Sequence, residues 1–198
     1  AATRPTGRLR DFASPLLQEP VAAALAYSFQ NYGSNRFWLV YDFGGGSFDA
    51  AVIQVRDGII QVVNHGGDNH LGGKLIDWDI VDKLFIPALL KEHPLTDFSR
   101  GNDKWRSAVA KLKHHAEIAK IRLSRDDTTD VLIDNLCLDD DGKPVNFEVE
   151  LNLSDVERLA APFIRRSINI CRKVMTEKRL GSADIEKVLL VGGPTLSP

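Results

Sequence analysis

The chain has 198 residues, 43% of them apolar and 26% charged, with a formal net charge of −2. Such a chain can bury a sizeable core, and its charge excludes a nucleic-acid binder that works by bulk positive potential. It has neither an apolar run of membrane-spanning length nor the apolar segment of a secretory signal, so no membrane and no nucleic acid enters as a partner.

From the N-terminus, residues 1–14 read as a polar, basic arm and Pro15–Leu17 as a short strand. Pro20 suits a first helical position, and Val21–Phe29 (VAAALAYSF) an Ala-rich helix. Three strands follow, FWLVYDF, SFDAAVIQV and GIIQVVNHG, joined by Gly44-Gly45-Gly46 and by Asp57-Gly58 into an antiparallel meander. His65–Gly73 (HGGDNHLGG) reads as a glycine-rich loop. Lys74–Glu92 carries apolar residues at helical spacing, with Pro87 as a kink. Asn102–Leu123 is a second helix, with Trp105, Val109, Leu112, Ala116, Ala119 and Leu123 on one side. A hairpin of Asp130–Leu138 and Val145–Leu151 turns at Asp139-Asp140-Asp141-Gly142. Ser154 to Glu157 forms a capping box that opens a helix to about Arg179, with Gly181 as its stop. Lys187–Val191 is a continuous apolar strand ending in Gly192-Gly193. The missing initiator methionine, and an end one turn past a core strand, read as a piece of a longer domain.

The chemistry concentrates in the glycine-rich loops at 44–46, 66–73 and 192–193. Glycines let several backbone N–H groups converge on an anion. A Gly-Gly-Gly-Ser hairpin tip adds the Ser47 hydroxyl, and Asp42 and Asp49 beside it suit a hydrated Mg²⁺. An isolated triple glycine is more often a plain turn; the packed strand before it favours a ligand loop. The pattern is neither a P-loop nor a dinucleotide fingerprint, because these glycines link strand to strand. Glu117, Lys120 and Ser124, at i, i+3 and i+7, share one helix face.

Asp42-Phe43-Gly44-Gly45-Gly46-Ser47-Phe48-Asp49 closely resembles the second phosphate motif of the actin-like ATPases, in the form found in DnaK-type seventy-kilodalton heat-shock chaperones. Four more stretches are similar to that family in the same order: Glu19-Pro20-Val21-Ala22-Ala23-Ala24-Leu25-Ala26-Tyr27, Gly67-Asp68-Asn69-His70-Leu71-Gly72-Gly73, Glu117-Ile118-Ala119-Lys120-Ile121-Arg122-Leu123-Ser124 and Val191-Gly192-Gly193-Pro194-Thr195. Together they cover nearly the whole chain.

The resemblance implies an α/β fold, an actin-like (ribonuclease-H-like) ATPase lobe with an inserted α+β subdomain. Residues 1–36 would be an arm and connecting helix, 37–76 with 152–198 the inner subdomain of lobe II, and 77–151 its outer subdomain. Asp42 and Asp49 would hold Mg²⁺ through water, with Glu19 facing the metal's waters; these three are the implied catalytic residues. Gly44, Gly45, Gly46 and Ser47 would contact the β- and γ-phosphates of ATP or ADP, and Gly72 and Gly73 phosphate and ribose. Glu117, Lys120 and Ser124 would contact ribose and adenine, and Gly192 and Gly193 would pass beneath the adenosine. The implied parent is a cytoplasmic, stress-responsive ATPase. Its partners would be lobe I, a peptide-binding domain, unfolded clients, a nucleotide-exchange factor and a J-domain co-chaperone. With only one wall of the cleft, the fragment alone is expected to be inactive.

Departures from the pattern fall at the adenine clamp and after Gly73. The clamp's basic positions are occupied by Ile121 and Leu196, and Pro194 replaces a serine, so an apolar clamp stands where cation–π stacking is lost. Lys74-Leu75-Ile76 replaces an acidic stretch. These changes keep open an alternative, a nucleotide-independent interaction module that serves as a scaffold or exchange-factor docking lobe. Other conspicuous residues carry less. His65, His70, His93, His114 and His115 show no ligand pattern, Trp38, Trp78 and Trp105 sit at packing positions, and Asp139–Gly142 reads as a solvated turn. Cys137 and Cys171 lack metal or disulfide spacing and read as reduced thiols.

Overall fold

The computed structural model describes residues 22–23, 37–56 and 59–197. Ala22 and Ala23 are helical; the rest of the expected Ala-rich helix, Glu19, the basic arm and the Asp57-Gly58 turn lie outside the described residues.

Strands β1 (Phe37–Phe43), β2 (Phe48–Arg56) and β3 (Ile59–Asp68) form the expected antiparallel meander. Strand β6 (Ile185–Val191) lies parallel to β1 on its other side, giving the order β3-β2-β1-β6. β1 and β2 are buried on both faces, which explains why they read as continuous apolar runs. On one face Leu39, Phe43, Phe48, Ala50 and Val52 pack with Leu71, Cys171 and Val174. On the other, Trp38, Val40, Ala51, Ile53 and Val55 pack with Leu189. β6 departs from the expected buried strand: Val188 and Leu190 are 53% and 54% exposed, because among the described residues β6 is an edge strand and nothing covers its even-numbered side chains.

A separate core is built by the middle of the chain. Helix α1 (Gly73–Ile80) continues through a π-turn (Val81–Phe85) into α2 (Ile86–Glu92). The π-turn, with Ile86 N–H donating to Val81 O, takes the place of the expected kink. Pro87 has no N–H and its ring crowds the preceding turn, so the ladder widens just before it. A 3₁₀ turn, Asp103–Trp105, capped by the Asn102 side chain, leads into α3 (Arg106–Arg122). All six residues of its expected apolar stripe are buried. They pack against Ile76, Ile80, Phe85 and Leu89 and against the sheet of β4 (Thr128–Leu138) and β5 (Pro144–Asn152).

Helix α4 (Leu153–Thr176) joins the two cores: Val156 and Leu159 belong to the second, Cys171 and Val174 to the first, and Phe163 packs against both. Tyr41 Oη and Ser167 Oγ lie 2.6 Å apart beneath it. Asn64 donates to Val174 O at 2.8 Å, and Arg166 pairs with Asp68. Burial pushes the Cys171 thiol up to about 11.

Three further expectations are corrected. His65–Asp68 belongs to β3, because Ala50 and Asp49 of β2 supply ladder partners for Gly66 and Gly67. The Ser154–Glu157 capping box does not form. The helix starts two residues earlier, with Asn152 at the cap and Leu153 N–H bonded to Asp127 O at 2.8 Å. Gly181 does not stop α4. Arg179 takes the left-handed position (φ 57°), with Leu180 N–H on Met175 O and Arg179 N–H on Thr176 O, a Schellman closure two residues earlier. The Asp139–Gly142 turn is also more than solvated. Asp139 accepts from Asp141 N–H and Lys143 N–H, and Asp140 holds the N–H and hydroxyl of Thr96, which lowers its pKa.

A non-glycine residue in the left-handed region costs about 1–2 kcal/mol, part of which glycine returns as unfolded-state entropy. Arg179→Gly is therefore expected to stabilise the fold by about 0.5–1 kcal/mol. Urea unfolding monitored by circular dichroism checks this; an unchanged or lowered midpoint refutes it.

Candidate functional site

The hairpin between β1 and β2 closes tightly, Gly44 N–H donating to Ser47 O at 2.9 Å. Gly45 and Gly46 are exposed at its tip, and their N–H groups make no backbone hydrogen bond among the described residues. Asp42 and Asp49 are directly opposed in the β1–β2 register. Side chains so opposed share a sheet face, so the two carboxylates stand on the same side of the sheet.

The first turn of α1 docks on this tip. Gly73 N–H donates to Gly44 O at 3.0 Å and Lys74 N–H to Gly45 O at 2.8 Å. Those N–H groups are thereby spent on the hairpin and hold it in place. Gly72 must be a glycine for this approach, since a Cβ there would stand 2.6 Å from Gly46 N. The exposed Lys74 side chain runs over the tip, its Cε 3.9 Å from where a Gly45 Cβ would lie.

Gly192 has φ 97°, and a Cβ on it would collide with the Phe43 carbonyl. Only glycine lets the end of β6 cross the end of β1 this closely. The turn that follows, Gly193–Leu196, is fixed by Thr195 Oγ1 donating to Gly192 O at 2.7 Å, and it brings Pro194 against Gly73.

α3 brings its polar face to the same place. Lys120 Nζ donates to Gly73 O at 3.2 Å and forms an ion pair with Asp77 of α1. Lys113 stands 3.7 Å from the other Asp77 oxygen and bonds Glu117 at 2.8 Å, which holds the Glu117 carboxyl below its usual range. Ser124 Oγ donates to Ile121 O at 2.7 Å. Ile121 and Leu196 are 61% and 79% exposed.

The structure thus brings Gly44–Ser47, Gly72, Gly73, Lys120 and the turn after Gly192 into one contiguous assembly. Glu117, Lys120 and Ser124 each carry an intramolecular bond, and Ile121 and Leu196 face outward. The sequence reading missed Asp77. Its signal was a lone carboxylate in the apolar run Leu75-Ile76-Asp77-Trp78, one helical turn after Gly73. Among the described residues no group of three or more His, Cys, Asp or Glu side chains is arranged to hold a metal, and no helix is long and apolar enough to cross a membrane.

The pattern of the family described as "Hsp70 protein" matches residues 13–198. The chain is 40% identical over 183 residues to the chaperone protein DnaK of Ureaplasma urealyticum serovar 10, covering 92% of this chain and 30% of that protein. It is 39% identical over 199 aligned positions to the DnaK of Mycoplasma mobile, covering 100% of this chain and 32% of that protein. For the DnaK of Thermotoga neapolitana the identity is 33% over 183 residues, with 92% and 30% covered. The chain spans about a third of the length of the curated relatives it matches.

Gly72→Ala would push a methyl group into the Gly45–Gly46 backbone, which side-chain rotation cannot relieve. The expected loss is about 1–3 kcal/mol of stability, the usual cost of overpacking. Hydrogen exchange should also speed at the Gly73 and Lys74 amides, whose hairpin bonds are strained first. Unchanged protection at those two amides contradicts the docking role.

Proposed function

The chain belongs to the Hsp70 family, as a segment of its DnaK-like, actin-like ATPase domain, and we propose that it forms one wall of a cleft for ATP or ADP with Mg²⁺. The observation that carries this reading is the exposed Gly45–Gly46 tip, two N–H donors held open while the carbonyls of Gly44 and Gly45 are tied to α1. A polyphosphate supplies the acceptors such a tip lacks. Gly44, Gly45, Gly46 and Ser47 bind the β- and γ-phosphates. Asp42 and Asp49 fit Mg²⁺ held through its waters, since two opposed carboxylates suit a cation that keeps most of its hydration. When bound, that ion neutralises phosphate charge.

The rest of the site follows the same reading. Glu117, Lys120 and Ser124 face ribose and adenine, Gly72 and Gly73 brace the phosphate tip, and Gly192 and Gly193 pass beneath the adenosine. Ile121 and Leu196 offer apolar cover to the base, which explains two large side chains so exposed. The inner part of the lobe comprises 37–76 with 152–198, and the outer part 77–151.

The work done by these residues is positioning and charge stabilisation for attack by an in-line water, and it needs donors from an opposing lobe. In the whole protein the nucleotide state sets the lobe angle, which a peptide-binding domain reads for unfolded clients. A J-domain co-chaperone and an exchange factor act on that cycle, in the cytoplasm and under heat stress. A nucleotide-independent interaction module is not favoured, given the relationship to DnaK chaperones across the whole chain.

Calorimetry of the full-length protein with ADP and ATP in the presence of Mg²⁺ tests the reading. Saturable binding is expected, weakened in Asp49→Asn; no heat at millimolar nucleotide refutes it. The 198-residue chain alone is expected to show no steady-state ATP turnover.

A further inference from the structure

Asp77 is the buried carboxylate of the second core, its side chain 1% exposed. It faces Lys120 on one oxygen and Lys113 on the other, and Glu117 balances the second lysine. Lys120 also donates to the carbonyl of Gly73, whose own N–H is bonded to Gly44 O at the base of the phosphate hairpin. One residue therefore separates the ammonium from the hairpin. An ammonium has three donors. Asp77 and Gly73 take two, and the third has no partner among the described residues.

We propose that Asp77 is a positioning residue for the sugar of a nucleoside polyphosphate, holding the Lys120 ammonium at a fixed span from the phosphate hairpin. The inference rests on the nucleotide reading above and names what sets the length of ligand the site accepts. A free lysine loses rotamer entropy worth about 1.5–2 kcal/mol when it binds a ligand. Lys120 has already lost that freedom to Asp77, so the sugar hydroxyls meet a pre-organised donor. Asp77 touches no ligand itself and acts through Lys120.

The test compares ADP, 2′,3′-dideoxy-ADP and pyrophosphate by calorimetry on the full-length protein. The wild type is expected to prefer ADP over the dideoxy analogue. Asp77→Asn is expected to lose about tenfold in ADP affinity and most of that preference, the scale of one charge-assisted hydrogen bond, and to lose less for pyrophosphate, which meets the hairpin alone. The Asp77→Asn/Lys120→Met double variant removes both charges, so it also serves if the single variant does not fold, and it is expected to match the single variant in sugar preference. A purely structural Asp77 would lower the melting temperature without changing the ADP-to-dideoxy ratio, and that result overturns the inference. So does a wild type that binds ADP with no sugar preference, or a folded double variant that keeps the preference. A wild type that binds neither ADP nor ATP fails the nucleotide reading itself, and the role of Asp77 falls with it.

Discussion

The ion pair between Asp77 and Lys120 is the constraint from which the rest of this lobe is arranged. A carboxylate taken out of water costs several kcal/mol unless a cation and hydrogen bonds meet it. Two lysines of α3 meet this one, so α1 and α3 have a single acceptable register. The exposed pairs Lys83–Asp79 and Arg158–Asp155 differ in kind, being solvated i,i+4 and i,i+3 contacts worth about 0.3–0.5 kcal/mol each. Fixing α1 also fixes Gly73 and Lys74, whose N–H groups carry the glycine hairpin. A tip made of three glycines has little intrinsic order; it borrows order from a helix that is locked from behind.

The two hydrophobic cores share one long element. α4 enters the second core at Val156 and Leu159 and leaves through the first at Cys171 and Val174. Its middle is held to the sheet by the Tyr41–Ser167 hydrogen bond and by Arg166 on Asp68. Tyr41 precedes Asp42 in β1, and Asp68 ends β3 just before the loop to Gly72. A shift of one core against the other would therefore reach the hairpin by two routes, α4 through the sheet and α1 through Gly73.

Much of this was legible in the sequence. The β-meander followed from apolar runs punctuated by glycine, and the α3 stripe from its 3.6-residue period, because local signals and tertiary burial agree there. What was not legible depended on partners distant in the chain. His65–Asp68 looked like a loop because glycines dominate it, yet the ladder from β2 extends it as a strand. Ser154 and Glu157 had the spacing of a capping box, but the carbonyl of Asp127 captures Leu153 and starts the helix earlier. Arg179 carries no local sign of a left-handed residue, with Gly181 close by as the better candidate. At the candidate site the glycine loops announced themselves. Asp77 did not, since its meaning lies in lysines 36 and 43 positions away.

In the proposed nucleotide site the charged and apolar side chains would weight binding toward the phosphate end. A cation stacked on a base contributes about 0.5–2 kcal/mol by cation–π attraction, and it also selects for an aromatic face. In the proposed site Ile121 and Leu196 would supply burial without that selection, because dispersion and the hydrophobic effect are non-directional. At the other end Lys74 lays a positive charge along the glycine tip. An approaching polyphosphate therefore meets added positive potential, whereas an approaching base meets only apolar surface. Under the proposed nucleotide reading, discrimination would come from charge number and from the span between hairpin and Lys120, more than from the identity of the base.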